Sequence, residues 1–222
     1  MHNPPMIITI DGPAGVGKTT VARQAAAALK IAYLDTGAMF RAVGWMLGPR
    51  EDERDPGRIA ALLAEICFSL EGSGWDSCLI LNGMGLGPEI RTEEVGMWAS
   101  NVGKLEIVRN FLKKEQQKIG AFTSLVAEGR DMGSVVFPDA PCKFFLDASA
   151  EIRAGRRQTQ LESMGIQSDY STILDQIKKR DDQDRNRAIA PLKPAPDAFI
   201  IDTGSLSPDD VLKKILISIP RL

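Results

Sequence analysis

The sequence is poor in residues that commonly serve as general bases or metal ligands. Among its 222 residues there is a single histidine, His2, and the three cysteines Cys67, Cys78 and Cys142 form no C-x-x-C pair. A histidine base and a histidine metal site are therefore nearly excluded. The odd, scattered cysteines favour reduced, mostly buried thiols over a disulfide framework or a zinc site.

Excess charge and long apolar runs are also missing. The formal net charge is -2, which argues against nucleic-acid and membrane-surface partners because both favour strongly basic faces. No apolar run approaches the length of a membrane span, and residues 1–5 lack the basic and apolar regions of a signal peptide. We therefore expect a cytoplasmic protein with one α/β core and a modest insertion.

One glycine-rich segment, residues 12–19, matches the phosphate-loop pattern G-x-x-x-x-G-K-[ST]. It follows an apolar run typical of a buried strand and precedes an alanine-rich run typical of a helix, which is the context that such a loop requires. Lys18 is predicted to reach the outer phosphates of ATP, and the Thr19 hydroxyl to bind Mg²⁺. The alternative is a tight turn before a helix. The predicted ATP-binding residues of the loop are Gly12, Pro13, Ala14, Gly15, Val16, Gly17, Lys18, Thr19 and Thr20.

Alternating strands and helices predict an α/β fold. Five short apolar segments are predicted to be parallel strands, at residues 6–10, 32–34, 125–127, 143–146 and 198–201. Helices are predicted at residues 18–30, 102–118, 150–164, 170–187 and 208–219. The pattern indicates a three-layer fold of the P-loop NTP hydrolase type, in which helices cover both faces of a five-stranded parallel sheet.

The segment between the second and third strands is too long for a simple crossover. Within it, residues 66–70 and 78–82 are predicted strands, and a third short piece follows at residues 83–88. We therefore interpret residues 40–100 as an insertion with a small antiparallel sheet, between core segments 1–39 and 101–222. Such an insertion suggests a small-molecule kinase, and the N-K-x-D motif usual in GTPases is absent.

Charged residues follow the second and third strands, where open α/β sheets gather ligands. Arg41 is placed to meet a second phosphate, although alone it would be interpreted as a solvated helix-surface residue. Glu128 ends the third strand, where an acidic residue commonly supports Mg²⁺ through water. Arg130 and Asp131 come next, and they would either contact a ligand or pair with each other in a turn.

Two later arginine clusters share the helical spacing of one face. Residues 153, 156 and 157 are arginines that would bind a triphosphate, or else pair with Glu151 and Glu162 on a surface face. Arg180, Asp184 and Arg187 would together bind phosphate and a sugar hydroxyl, or else belong to a solvated helix rich in salt bridges. A pair between Asp181 and Arg185 is predicted on another face.

These motifs together resemble the bacterial cytidylate kinase family. The matching segments are residues 10–19, 34–38, 89–95, 129–133, 136–140, 179–187 and 190–192, in family order across nearly the whole chain. The resemblance implies transfer of a phosphoryl group from ATP to CMP or dCMP with Mg²⁺. It also implies that the insertion binds the nucleoside monophosphate, that residues 153–168 or so form a short lid, and that the protein is a monomer.

The resemblance assigns roles by position. It implies that Thr36, Ser100, Arg109 and Asp131 surround cytosine, that Arg41, Arg130, Arg180 and Arg187 surround the CMP phosphate, and that Asp184 contacts the sugar. It implies ATP contacts from Arg153, Arg156 and Arg157, catalytic roles for Lys18, Arg130, Arg157 and Arg180, and Mg²⁺ at Thr19 with Asp35 or Glu128, through water. A carboxylate at position 131 suits the amino group of cytosine and disfavours the carbonyl of uracil.

Three positions depart from the family pattern. Thr36 replaces a more usual serine, Phe40 a tyrosine and Glu128 an aspartate, and these changes bear on acceptor affinity and on uracil discrimination. The alternatives are a kinase of another acceptor, such as UMP, dTMP or shikimate, and a non-catalytic ATP-binding regulatory module. An RNA-associated role is a third alternative, which nothing in the charge distribution supports.

Overall fold

The main sheet contains five parallel strands in the order β2-β6-β1-β7-β8. The computed structural model describes residues 4–49 and 55–220, so His2 lies outside the described residues. The strands are β1 (Ile7–Asp11), β2 (Ala32–Asp35), β6 (Leu125–Gly129), β7 (Cys142–Asp147) and β8 (Phe199–Asp202). The predicted parallel strands are confirmed to within two residues at each end, because strands buried on both faces have nearly continuous apolar sequences.

Helices cover both faces of this sheet, which confirms the three layers. On one face, α1 (Lys18–Leu29) and α8 (Pro208–Ser218) pack Val21, Ala22 and Ile215 against Ile8 and Ile10. The other face is covered by α2 (Thr36–Leu47), α3 (Pro56–Ala64) and α5 (Glu106–Phe122). The buried core on this face includes Leu34, Met39, Val43, Leu112, Leu125 and Ala127.

The predicted helix at residues 102–118 was wrong at its start. The structure has α4 (Glu93–Val102), then a turn in which Leu105 N–H donates to the carbonyl of Val102, and only then α5. Thr92 caps α4 by accepting a hydrogen bond from Val95 N–H. The helices α2, α3 and α4 were not predicted.

A second sheet, β3 (Phe68–Glu71), β4 (Cys78–Leu81) and β5 (Met84–Gly85), is antiparallel, as predicted for the insertion. The turn between β3 and β4 lies on the free edge of β2. There Gly74 N–H donates to the Ile31 carbonyl at 2.8 Å, and Tyr33 N–H donates to Ser77 Oγ at 2.9 Å. The prediction of mostly buried thiols was wrong, because Cys67 and Cys78 are exposed around this small sheet and only Cys142 is buried.

Two further helices, α6 (Ala150–Ser163) and α7 (Tyr170–Asn186), pack together through Ala154, Ile173 and Ile177. They contain the arginine clusters, and the predicted lid covers most of α6 and the following loop. The predicted domain boundary at residue 40 falls inside α2, and the division into domains stays a prediction. Among the described residues, no helix is long and apolar enough to cross a membrane.

Candidate active site

A polar cleft lies outside the carboxyl ends of β1, β2 and β6, where the sequence placed the ligand site. Its lining includes most of the residues predicted to bind ATP, acceptor or metal. Those that line it are Ala14, Gly15, Lys18, Thr19, Asp35, Thr36, Arg41, Ser100, Arg109, Glu128, Arg130, Asp131, Arg180, Asp184 and Arg187. Phe40, Arg91 and Gly103 line it as well.

The phosphate loop joins β1 to the N-terminus of α1. Its glycines at positions 12, 15 and 17 all have positive φ, which a residue with a Cβ rarely adopts. Lys18 Nζ donates to the Pro13 carbonyl at 2.7 Å. Burial, and then the positive charge of Arg130, lower the pKa of Lys18. Val16 is buried in the core, and Thr20 is exposed on the first turn of α1.

Glu128 is a buried carboxylate at the end of β6 with two hydroxyl donors. Thr19 Oγ1 donates to its Oε2 at 3.0 Å, and Tyr33 Oη donates to its Oε1. Burial, and then repulsion from Asp35, raise the pKa of Glu128. Tyr33 was missed by sequence analysis, because an aromatic residue in a buried strand is indistinguishable from ordinary core without knowledge of what lies beside it.

Asp35 links the end of β2 to two further elements. Its Oδ1 accepts a hydrogen bond from Ala38 N–H and caps α2, while its Oδ2 lies 3.4 Å from Arg91. Arg91 was not among the predicted site residues, although it lies in the matching segment 89–95. Sequence analysis missed its role because only the fold brings that segment to β2.

The groups beside Thr19 suit a cation that also takes phosphate oxygens. Within residues 4–49 and 55–220, no group of three or more His, Cys, Asp or Glu side chains forms a metal site. Asp35, Glu128 and the Thr19 hydroxyl nevertheless line one part of the cleft. Few protein oxygens and an adjoining phosphate site fit Mg²⁺, which keeps several waters and binds through one or two carboxylates plus substrate phosphates.

Asp131 pairs with Arg109 and Arg187, so the alternative of a pair with Arg130 is wrong. Arg109 Nη2 lies 2.5 Å from Asp131 Oδ2, and Arg187 lies 3.4 Å from its Oδ1. Arg109 also donates to the Gly103 carbonyl, and its guanidinium stacks 5.4 Å above the ring of Phe40. Arg109 and Asp131 are both buried and line the cleft, so their donors and acceptors are held in fixed positions there.

Asp184 is the partner of Arg130, at 2.9 Å, and of Arg187, at 3.7 Å. Burial acts to raise the pKa of Asp184, but the charge and hydrogen bond of Arg130, together with the charges of Arg187 and Arg180, outweigh it and the pKa is lowered. Arg180 lies in the same cluster, and burial followed by repulsion from Arg130 lowers its pKa to about 10. It stays charged near neutral pH.

Three other residues predicted to bind the acceptor also have hydrogen-bond partners in the structure. Arg41 is partly buried and donates to the carbonyls of Ile90 and Thr92 at 3.3 and 3.2 Å. Ser100 Oγ donates to Gln183 Oε1 at 3.4 Å, a contact that the sequence does not indicate. Thr36 Oγ1 donates to the Glu128 carbonyl at 2.6 Å. The hydroxyl of the threonine that replaces the usual serine is therefore hydrogen-bonded to the backbone.

The three arginines of α6 are directed to three different partners. Arg153 donates to the Ala14 carbonyl at 3.0 Å and pairs with Asp181. Arg156 donates to Thr203 Oγ1 at 3.1 Å, and Arg157 pairs with Glu93 at the start of α4.

Two predicted ion pairs are absent from this region. Asp181 pairs with Arg153, whereas Arg185 lies 3.8 Å from Asp147, so the pair between Asp181 and Arg185 was wrong. Glu151, offered as a partner of the arginine face, pairs with Lys178 instead. Helical spacing within α6 and within α7 did not reveal these contacts because the partners come from other elements.

Asp11 is a carboxylate that was not among the predicted site residues. It ends β1, and it accepts hydrogen bonds from Met132 N–H at 2.9 Å and Gly133 N–H at 2.8 Å. Burial raises its pKa to about 6, although the two backbone hydrogen bonds oppose this. The residue before the phosphate loop thus holds the backbone that directly follows Asp131.

Comparison with known proteins places the chain in a family. The family model described as cytidylate kinase matches residues 8–221. A cytidylate kinase of Nitratidesulfovibrio vulgaris is 56% identical over 95% of this chain and 90% of its own length. One of Maridesulfovibrio salexigens is 55% identical over 96% of this chain and 95% of its own length. A solved shikimate kinase of Bacteroides thetaiotaomicron aligns over 96% of this chain and 99% of its own, with a TM-score of 0.47 and 11% identity, a likeness too distant to bear on the acceptor. With a family match that runs from β1 to the end of α8, the chain belongs to the cytidylate kinase family.

Proposed function

We propose that this protein transfers the γ-phosphoryl group of ATP to CMP or dCMP, giving ADP and CDP or dCDP. One observation carries the proposal beyond family membership. The cleft next to the phosphate loop contains a buried Arg109–Asp131 pair. The pair offers hydrogen-bond donors and an acceptor suited to the hydrogen-bonding edge of a pyrimidine. The alternatives of another acceptor and of a non-catalytic module are not favoured.

Cytosine matches this pair chemically. Its amino group donates to a carboxylate such as Asp131, and its ring nitrogen and carbonyl accept from a guanidinium such as Arg109. Uracil presents a carbonyl where cytosine has the amino group, so the carboxylate would face a lone pair. A polar pocket discriminates strongly against a base that lacks the matching group, because the buried groups of the pocket are then left without hydrogen bonds.

Four guanidinium groups surround the proposed place of the acceptor phosphate, at Arg41, Arg130, Arg180 and Arg187. Arg180 supports this role most directly, since among the described residues it has no hydrogen bond or ion pair of its own. Its charge is available to an anion. We propose that Asp184, held by Arg130 and Arg187, contacts the sugar hydroxyls.

On the donor side, Lys18 and the loop amides would hold the ATP phosphates, with Arg153, Arg156 and Arg157 of the proposed lid. Mg²⁺, when bound, neutralises phosphate charge, and Thr19 with Asp35 or Glu128 would hold it, directly or through water. Catalytic charge contacts are assigned to Lys18, Arg130, Arg157 and Arg180. These groups act by alignment and by charge neutralisation in a cleft that excludes water.

The reaction needs no general base. The nucleophile is an oxygen of the acceptor phosphate, whose second pKa is about 6, so it is largely ionised near neutral pH. That agrees with a chain whose one histidine is at position 2. The proposal further includes a cytoplasmic monomer. It also includes no nucleic-acid or membrane partner, which the small net charge of -2 supports.

An acceptor panel tests the function directly. ADP release from ATP and Mg²⁺ is followed with CMP, dCMP, UMP, dTMP and shikimate, each against a reaction without acceptor. We expect turnover with CMP and dCMP at least about a hundredfold above that with UMP, as a missing hydrogen-bond partner implies. Equal turnover with and without every acceptor would favour the regulatory module.

Asp131→Ala refines the panel, because it removes the acceptor of the base pocket and leaves the phosphate loop intact. The KM for CMP should rise by at least about a hundredfold, while the Kd of ATP measured by calorimetry changes little. Asp182→Ala, on the exposed side of α7, serves as the matched control. Equal losses for CMP and ATP would remove Asp131 from the base pocket.

A further inference from the structure

Tyr33 is a buried residue of β2 whose hydroxyl is aimed at the donor-phosphate side of the cleft. Its side chain is 3% exposed, and its Oη donates to Glu128 Oε1. The other oxygen of that carboxylate accepts from Thr19 Oγ1 at 3.0 Å. A chain of hydrogen bonds thus runs from the edge of the sheet through Glu128 to the hydroxyl at the start of α1.

The ring of Tyr33 is fixed independently of its hydroxyl. The guanidinium of Arg23 stacks over it, with 4.9 Å between the guanidinium carbon and the ring centroid. Its backbone N–H donates to Ser77 Oγ at 2.9 Å. Because ring and backbone are held from both sides, the hydroxyl is a rigid donor, and removal of the hydroxyl alone leaves the packing in place.

The length of Glu128 makes this contact possible. Glutamate is one methylene longer than aspartate, and the extra reach brings its carboxylate to Tyr33 and Thr19 together. A longer side chain has an additional rotatable bond, so its carboxylate needs a fixed partner to keep one orientation. Tyr33 supplies that partner, and it does so without itself lining the cleft.

We propose that Tyr33 is a positioning residue, which holds the Glu128 carboxylate towards Thr19 so that it serves the divalent cation accompanying the ATP phosphates. This inference rests on the proposed function, since it needs ATP as the nucleotide of the phosphate loop. Tyr33 touches neither substrate; it acts through Glu128. Groups that orient metal-binding side chains in this way typically contribute about 10- to 100-fold to metal affinity.

Calorimetry on Tyr33→Phe tests the proposal without any acceptor. The Kd of a non-hydrolysable ATP analogue is measured in EDTA and in saturating Mg²⁺, and their ratio gives the coupling between metal and nucleotide. We expect the ratio to fall at least about tenfold in Tyr33→Phe, with the Kd in EDTA unchanged. Tyr170→Phe, at the other, partly exposed tyrosine, is the matched control and should keep the wild-type ratio.

The remaining outcomes are distinct. A wild-type ratio in Tyr33→Phe, or an equal loss of affinity with and without Mg²⁺, would overturn the positioning role. If Tyr33→Phe does not fold, Tyr33→Leu replaces it, since leucine also removes the hydroxyl and leaves the Glu128 carboxylate unchanged, and its ratio should fall as well. Failure of the wild-type protein to phosphorylate CMP would instead overturn the proposed function and leave the measured coupling intact.

Discussion

Asp11, the residue before the phosphate loop, combines two unfavourable conditions for a carboxylate, burial and the nearby charge of Asp131. It offsets part of this cost by accepting from two consecutive backbone N–H groups. A carboxylate accepts from both donors at once, because each of its oxygens carries lone pairs and no proton.

The raised pKa of Asp11 gives a pH-dependent stability. The unfolded carboxyl titrates near 3.8 and the folded one near 6, so the folded state binds the proton more tightly. The stability associated with this group is therefore present below pH 3.8 and is lost as the pH rises through about 6. Asp11→Asn removes the titration. Its free energy of unfolding relative to wild type should rise by about 2 to 3 kcal/mol between pH 4 and pH 7.

Urea unfolding of both proteins across this range provides the measurement. Asp182→Asn, at an exposed position of α7, is expected to run parallel to wild type. A difference between Asp11→Asn and wild type that stays constant or falls with pH would contradict the raised pKa.

At the residue scale, the sequence reveals functional groups whose chemistry depends on their neighbours in the chain, but not groups whose role depends on a distant partner. Lys18 and Thr19 lie in a pattern that specifies their own surroundings. Asp11 and Tyr33 acquire their roles from Met132, Gly133 and Glu128, which are more than 90 positions away in the chain. Only the order of the strands brings them together.

At the element scale, the turn between β3 and β4 protects the free edge of β2. An exposed edge strand offers unpaired backbone groups to other chains, and here Gly74 N–H and Ser77 Oγ pair with two of them. The residue at position 74 has φ +54°, and a Cβ there would lie 2.9 Å from Ala27 Cα in α1. Close approach to a helix backbone therefore requires glycine.

Gly74→Ala should lower the free energy of unfolding by about 2 to 4 kcal/mol, the sum of a left-handed backbone and a contact that forces the turn away from α1. Chemical denaturation measures it. Gly83→Ala is the control, since that residue also has positive φ but no atom within 4 Å of the added Cβ, so only about 1 to 2 kcal/mol is expected. Equal losses would show that contact with α1 is unimportant.

The main-sheet strands were predictable, whereas α2 and α4 were not. Gly44 lies inside α2, and glycine weakens a helix in isolation. In the structure a Cβ at this position would be 2.9 Å from the backbone of Trp98 and Ala99 in α4. The glycine permits close packing of two helices, and a signal that depends on a second helix is absent from the local sequence.

At the scale of the whole molecule, an ion pair joins α6 to the start of α4. Arg157 and Glu93 are both solvent-accessible, with side-chain exposures of 33% and 80%. An exposed pair of this kind contributes about 0 to 1 kcal/mol to stability. If Arg157 binds ATP phosphates as proposed, Glu93 competes for the same guanidinium.

Glu93→Gln should therefore tighten ATP by up to about fivefold in the absence of CMP, with little change in stability. Calorimetry at low and high salt measures it, and the gain should shrink as salt screens the pair. Glu94→Gln carries the same charge change in the same helical turn and is the control. An equal effect of both variants would indicate a general field rather than competition for Arg157.

Asp11 has a consequence for engineering a different acceptor preference. The backbone that follows Asp131, the proposed base contact, is anchored by Asp11 of the first strand, one residue before the phosphate loop proposed to bind ATP. Substitutions that reshape the pyrimidine pocket by moving this segment will pull on the donor loop too. Laboratory selection for a new base should then favour substitutions that change side chains and leave the backbone in place. Variants that shift the segment after Asp131 should also carry compensating substitutions beside position 11.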